Sequence, residues 1–132
     1  MLHYPPKILI AWGETITGND EILYWLLHNG YPELAALSNA IRGSEDAFKW
    51  LMKNHYPQYA ALDSAIDGNA NAMKWLHQYN FDFLALFAQA CNSNLEALQW
   101  LKEKDLEIFI VLAQKIKWLR DNQIYDYHKM HF

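Results

Sequence analysis

A Trp-Leu pair recurs four times with a constant period of 25, as Trp25-Leu26, Trp50-Leu51, Trp75-Leu76 and Trp100-Leu101. Each pair follows a Gly or Ser at a fixed offset, Gly18, Gly43, Gly68 and Ser93. A period of this length, held without drift, marks a repeat array in which one supersecondary unit buries its apolar face against copies of itself. The units run 18–42, 43–67, 68–92 and 93–112. Residues 1–17 and 113–132 flank them as N-terminal and C-terminal caps, giving a single 132-residue domain.

Each unit divides into two short helices. Asn19, Ser44, Asn69 and Asn94 are N-caps, because their side chains can accept from the exposed amides of the first turn. The Gly before each suits the left-handed residue that ends the preceding helix. The first helices then run to about His28, Asn54, Tyr79 and Lys104. In the second unit Ala47, Trp50 and Leu51, widened by Phe48, form the apolar stripe, while Glu45, Asp46, Lys49 and Lys53 form a solvated face with acids near the N-terminus and lysines later.

The second helices open near Pro32, Pro57, Asp82 and Glu107, immediately after Tyr31, Tyr56, Phe81 and Leu106. Proline is tolerated in a first turn, where its missing amide has no intrahelical partner. Leu34, Leu37 and Ile41 are the buried stripe, repeated as Tyr59, Leu62, Ile66 and as Leu84, Phe87, Cys91. Ala35, Ala36 and Ala40, echoed by Ala60, Ala61 and Ala65, let neighbouring helices come close. The expected fold is all-α: an α-solenoid of stacked antiparallel helix pairs, about four repeats with atypical end caps. The same periodicity assigns the Trp side chains to the core, as spacers of the stack and not as platforms for bases or sugars.

The ends depart from the pattern. Pro5-Pro6 open a helix at Lys7 that Gly13 is expected to interrupt, an incomplete first repeat. Trp118-Leu119 arrives too early after Trp100 to keep the period, so the inter-helix turn is deleted and one helix is expected from about Leu106 to Asn122. The remaining QIYDYHKMHF carries Ile124, Tyr125, Tyr127, Met130 and Phe132; it either folds back over the end of the array or frays.

The stretch Ser93-Asn94-Leu95-Glu96-Ala97-Leu98-Gln99-Trp100-Leu101 resembles the second helix of an ankyrin repeat, and Gly43 to Leu51 and Gly68 to Leu76 share its outline. The likeness spans roughly residues 13–112. There is no Thr-Pro-Leu-His signature, and the period of 25 falls short of the ~33 of ankyrin arrays by about the length of their β-turn finger. The resemblance therefore implies an ankyrin-like helix pair without fingers. Ankyrin arrays commonly bind proteins through fingers and inner helices, so helix faces would carry that role here.

Charge and composition narrow the function. With 52% hydrophobic and 20% charged residues the chain can bury a continuous core. A net charge of −4, with ten acids against five bases over residues 1–98, disfavours nucleic acid as a partner. The short apolar run near the N-terminus suits neither a signal peptide nor a membrane span, and a cytoplasmic setting is expected. Cys91 occupies the repeat position of Ile41 and Ile66 and reads as a small buried hydrophobe. No cofactor or metal is implied. His28, His55 and His77 fall at three different repeat positions, and His128 and His131 with Asp126 would bind at most an adventitious metal. Phosphate loops, nucleophile elbows and CxxC motifs do not occur, so no enzyme is expected.

What varies across the units is the polar side of the second helices: Asn39 and Arg42, then Asp63, Ser64 and Asp67, then Gln89 and Asn92. With helices ~8 to 10 Å apart these positions would form one strip, acidic at its middle. They are the candidate partner-binding residues, for a protein or peptide that is basic or hydrogen-bonding. The alternatives are a wet surface, Asp63 and Asp67 paired with Arg42, or those two carboxylates lining a ligand-binding or hydrolytic pocket on the concave face.

Overall fold

The computed structural model describes the backbone of residues 1–130 and the side chains of residues 1–123. Among the described residues the chain is all-helical: α1 (Pro6–Ile16), α2 (Asp20–His28), α3 (Pro32–Ile41), α4 (Glu45–Lys53), α5 (Pro57–Ile66), α6 (Ala70–Gln78), α7 (Asp82–Cys91), α8 (Leu95–Glu103) and α9 (Glu107–Met130). The starts of α2, α4, α6 and α8 keep the period of the Trp-Leu pairs, and so do those of α3, α5, α7 and α9.

Local chemistry explains the repetition. The Asn19, Ser44, Asn69 and Asn94 side chains accept from the amides of Ile22, Ala47, Ala72 and Ala97, which caps α2, α4, α6 and α8. Gly18, Gly43, Gly68 and Ser93 have positive φ, as the end of each preceding helix requires. A second left-handed series falls at Gly30, His55, Asn80 and Asp105, between the two helices of each unit. After it the amides of Tyr31, Tyr56, Phe81 and Leu106 reach back to the carbonyls of Leu26, Leu51, Leu76 and Leu101 at 2.7 to 3.0 Å. This is the helix-ending pattern in which an amide just past the helix takes an otherwise orphaned carbonyl. The Leu of each Trp-Leu pair thus ends one helix with its backbone and fills the core with its side chain.

The Trp residues do not share that burial. Leu26, Leu51, Leu76 and Leu101 are all 0% exposed, whereas Trp25 is 47% and Trp100 37% exposed and Trp50 and Trp75 are half-buried. The assignment of the repeated Trp residues to the core is therefore corrected for Trp25 and Trp100, while Trp50 and Trp75 pack against the core from its border. Two adjacent residues of a helix point about 100° apart, so one position of the pair can face inward while the other sits at the border. Three of the four rings lie against the aromatic that precedes the next helix, Trp25 on Tyr31, Trp50 on Tyr56 and Trp75 on Phe81, with centroids 5.9 to 6.4 Å apart and planes within 20° of parallel, whereas Trp100 is tilted against Phe83. The interior is lined by Leu34, Leu37, Ile41, Leu62, Phe87 and their repeat equivalents, all buried. Burial of one such aliphatic side chain stabilises the fold by about 1.5–3 kcal/mol.

Neighbouring helices pack in sequence, and the second helices also pack on one another, α3 on α5, α5 on α7 and α7 on α9. The terminal segments meet as well, because α1 packs on α9 as well as on α2 and α3. Gly13 does not interrupt α1, which runs through it to Ile16. A Cβ there would lie 2.8 Å from Leu112 Cδ2 of α9, so the glycine permits the close approach of the last helix to the first. Lys115 Nζ donates to Glu14 Oε1 at 3.3 Å along the same seam.

Inward from that seam, α1 carries Trp12, fully buried beside Phe87 of α7 and donating from Nε1 to the Leu34 carbonyl at 3.0 Å. Thr15 donates to the Trp12 carbonyl, and its hydroxyl lies 2.8 Å from Ser38 Oγ of α3 in the same interior. Residues ahead of α1 join in: Tyr59 donates to the Tyr4 hydroxyl (3.2 Å), which donates to Glu33 (2.7 Å). The N-terminal helix, within the expected N-terminal cap, thus packs along the last helix. That helix extends to Met130, past the Asn122 expected from sequence. Asp126, His128 and His131, considered above for at most an adventitious metal, and the apolar tail side chains from Ile124 on, lie outside the described side chains.

Candidate functional site

The seven strip residues lie on α3, α5 and α7 or at their C-caps. Asn39, Ser64 and Gln89 hold one repeat position, and Arg42, Asp67 and Asn92 hold another. The first set sits one turn before the ends of α3, α5 and α7, where the three backbone carbonyls take the amides of Ser44, Asn69 and Asn94. Those side chains line separate grooves, Asn39 with Trp50, Ser64 with Trp75, and Gln89 with Asn92 and Met73. The second set occupies the C-caps of the same helices. There Asn92 donates to the Ile66 carbonyl at 3.1 Å, tying α7 to α5, and the Arg42 carbonyl accepts from Gln123 of α9 at 3.0 Å.

Asp63 and Asp67 do come together, but their partner is not Arg42. That side chain is 3.9 Å from Asp20, a partly exposed pair of small energetic consequence. Arg120 of α9 supplies the counter-charge, with one amino group 3.4 Å from Asp63 Oδ1 and the other against Asp67. The acidic middle of the strip is thereby partly offset from within the chain, one guanidinium against two carboxylates. Asp63 is buried, and burial pushes its carboxyl from 3.8 up to about 6, with the guanidinium pulling the other way. Burial likewise lowers the Arg120 pKa, and its Nε has no hydrogen-bond partner among the described residues. Desolvation outweighs attraction for both partners, as is common for buried ion pairs.

A pH dependence follows. The folded chain holds the Asp63 proton more tightly than the unfolded chain does, so this group's contribution to stability is greatest below pH 4 and is lost as pH rises to about 6. The full swing is about 3 kcal/mol, from ~1.4 kcal/mol per pKa unit. In urea denaturation at pH 4.5 and 6.5, the difference between wild type and Asp63→Asn should shift in favour of the variant at the higher pH. Parallel behaviour of the two proteins would exclude Asp63 as the responsible group.

A concavity of about 470 Å³ is lined by Asp63 and Asp67 together with Glu45, Phe48 and Lys49, and two others of matching build lie between the first helices. One opens between α2 and α4 over α3, with a volume of about 460 Å³; its floor is Ala35 and Ala36, and Leu27 and Trp50 form its sides. Another opens between α4 and α6 over α5, with about 340 Å³, floored by Ala60 and Ala61 and flanked by Met52 and Trp75. Every residue lining the second is the repeat equivalent, one unit on, of a residue lining the first. Both volumes fall in the range of ~300–1,000 Å³ typical of ligand-holding clefts. The physical origin is a small residue beside a large one: two successive alanines leave the space that a neighbouring border Trp then walls. At the same position in the third unit stands Leu86, half-buried.

Sequence reasoning missed these grooves because it took Ala35-Ala36 and Ala60-Ala61 as means of close helix approach and took Trp50 and Trp75 as core. The available signal was the break in the alanine series at Leu86.

Among the described residues no group of three or more His, Cys, Asp or Glu side chains is placed to hold a metal ion, and no helix is long and apolar enough to cross a membrane. Cys91 is buried, and burial raises its thiol pKa, so it is held as the thiol. Compared with known proteins, the chain matches no family model, no curated protein and no solved structure.

Proposed function

We propose that the chain is a non-catalytic protein-interaction module of the cytoplasm, an ankyrin-like α-solenoid of stacked helix pairs without β-turn fingers, whose partner is a protein or peptide of basic character. The observation that carries this reading is the distribution of exposed large apolar side chains. Of the eleven among the described residues, Tyr24, Trp25, Leu27, Met52, Leu95 and Trp100 lie on the first helices of the repeats, and Leu2, Ile10, Tyr79, Val111 and Trp118 lie elsewhere. Trp, Tyr and Met are enriched at the centres of protein interfaces, and an apolar row kept in water is otherwise an aggregation liability. The seven-residue polar strip remains a candidate only in part, since Arg42, Asp63, Asp67 and Asn92 are engaged in holding helix ends together.

A second reading, a ligand-binding or hydrolytic protein, draws on Asp63, whose carboxyl at about 6 is in the range of a general acid. It is the weaker one, because Arg120 occupies the space between the two carboxylates that would have to converge on a substrate.

Affinity capture on the immobilised protein distinguishes the surfaces. A binder retained by wild type and by Gln89→Ala, but lost with Leu27→Ser plus Met52→Ser, is the expected result. Loss with Gln89→Ala alone would return the site to the polar strip. Failure of any protein to be retained above blank resin would overturn the interaction reading.

A further inference from the structure

The two equivalent grooves differ in charge. The first is lined by two ionisable side chains besides Tyr24, Asp20 and Asp46, both acids; the second has Asn71 where the first has Asp46, and no ionisable residue lines it. Asp20 is 83% exposed, and Glu21 and Glu45 stand exposed beside these acids at the starts of α2 and α4. Lys49 lies in a different groove, with Asp63 and Asp67. Arg42 stands 3.9 Å from Asp20, which leaves Asp46 as the groove acid without a cationic partner among the described residues; the pair of grooves is therefore apolar along its length and more acidic at one end.

Spacing adds a second constraint. The groove floors are on α3 and α5, which pack directly on one another, so the floors are on the order of 8 to 10 Å apart. Two side chains on one face of a polyproline-type segment are separated by about 9 Å at i and i+3, and on one face of a helix by about 10 Å at i and i+7. One peptide can thus seat an anchor in each groove across the α4 ridge.

We infer that the two grooves form one composite docking site for a peptide segment of another protein that carries two apolar anchors, spaced to match the groove floors, and a Lys or Arg beside the anchor in the first groove. This rests on the interaction reading above and fixes where, and with what chemistry, the partner binds. Apolar burial supplies the affinity, and the charge at one end sets the direction of the peptide and its rate of capture.

The chain itself provides the test substitutions. Ala36→Leu and Ala61→Leu place in the first and second grooves the residue that the third unit already carries as Leu86, and Asp46→Asn places in the first the residue that the second carries as Asn71. The probe is a displayed library of random dodecapeptides, selected on wild type and then titrated against each variant. Thermal unfolding of each variant verifies that it is folded.

Enriched peptides are expected to carry two apolar residues at i and i+3 or i and i+7 and at least one Lys or Arg. Ala36→Leu and Ala61→Leu should each weaken them at least about tenfold, a loss of ~1.4 kcal/mol. Asp46→Asn should weaken them several-fold and reduce the salt dependence of binding. Peptides that bind the leucine variants as well as wild type, or that are predominantly acidic, would overturn the groove assignment while leaving an interaction module in place. A dimer of the protein alone that Ala36→Leu breaks apart would give the grooves to a second copy and overturn the peptide assignment. Failure to enrich any peptide would overturn both the assignment and the reading beneath it.

Discussion

Trp12→Ala is expected to lower folding stability by about 3–5 kcal/mol, the largest loss for any single Trp in the chain. Small domains have about 5–15 kcal/mol in total, so the variant should be partly unfolded at 37 °C. The cause is position. Trp12 is fully buried, rests against Phe87 and donates to the Leu34 carbonyl, so one ring joins α1 to α3 and α7. Truncation leaves a cavity whose walls come from three helices, which cannot all close in. Trp118→Ala, at 54% exposure on α9, is the control and should change stability by no more than about 0.5 kcal/mol. Urea denaturation followed by near-ultraviolet circular dichroism checks both. Equal stability of Trp12→Ala and its parent would remove α1 from the interior.

Leu51→Ala should destabilise by about 2–5 kcal/mol, and Trp50→Ala by only about 1–2 kcal/mol, although the tryptophan is the larger side chain. Leu51 is completely enclosed; Trp50 is half-buried and its main fixed contact is the stacked ring of Tyr56, with centroids 6.1 Å apart. A stacked pair contributes about 0.5–1.5 kcal/mol beyond the area that it buries. The same order should hold for Leu76 against Trp75. A larger loss on removing Trp50 than on removing Leu51, from denaturant midpoints measured in one buffer, would restore the tryptophan to the core.

The helix boundaries were legible in the sequence because they rest on local chemistry. The caps Asn19, Ser44, Asn69 and Asn94, the glycines before them and Pro32 and Pro57 each act within one turn, and the constant period repeats each signal. The second left-handed series was harder to read, since three of its four members are His55, Asn80 and Asp105 and not glycine. Burial within the Trp-Leu pairs was misjudged for a different reason. Helical periodicity marks a stripe, but two adjacent apolar residues at its edge cannot be ranked without knowing what faces them.

Long-range features were out of reach. Gly13 looks like a helix breaker until Leu112, from the far end of the chain, is found against it. Arg120 is likewise 57 residues from Asp63, beyond any i,i+4 argument. For the same reason the sequence did not show which strip side chains also fasten helix ends, as Asn92, Asp63 and Asp67 do.

The most direct test of the role given to the outer grooves is an NMR titration of ¹⁵N-labelled protein with an enriched dodecapeptide, following the six tryptophan indole N–H signals. The Trp50 and Trp75 indoles line the two grooves and should both shift, while that of Trp12, buried and bonded to Leu34, should stay in place. Shifts that leave Trp50 and Trp75 unmoved while other signals of the protein change would contradict it.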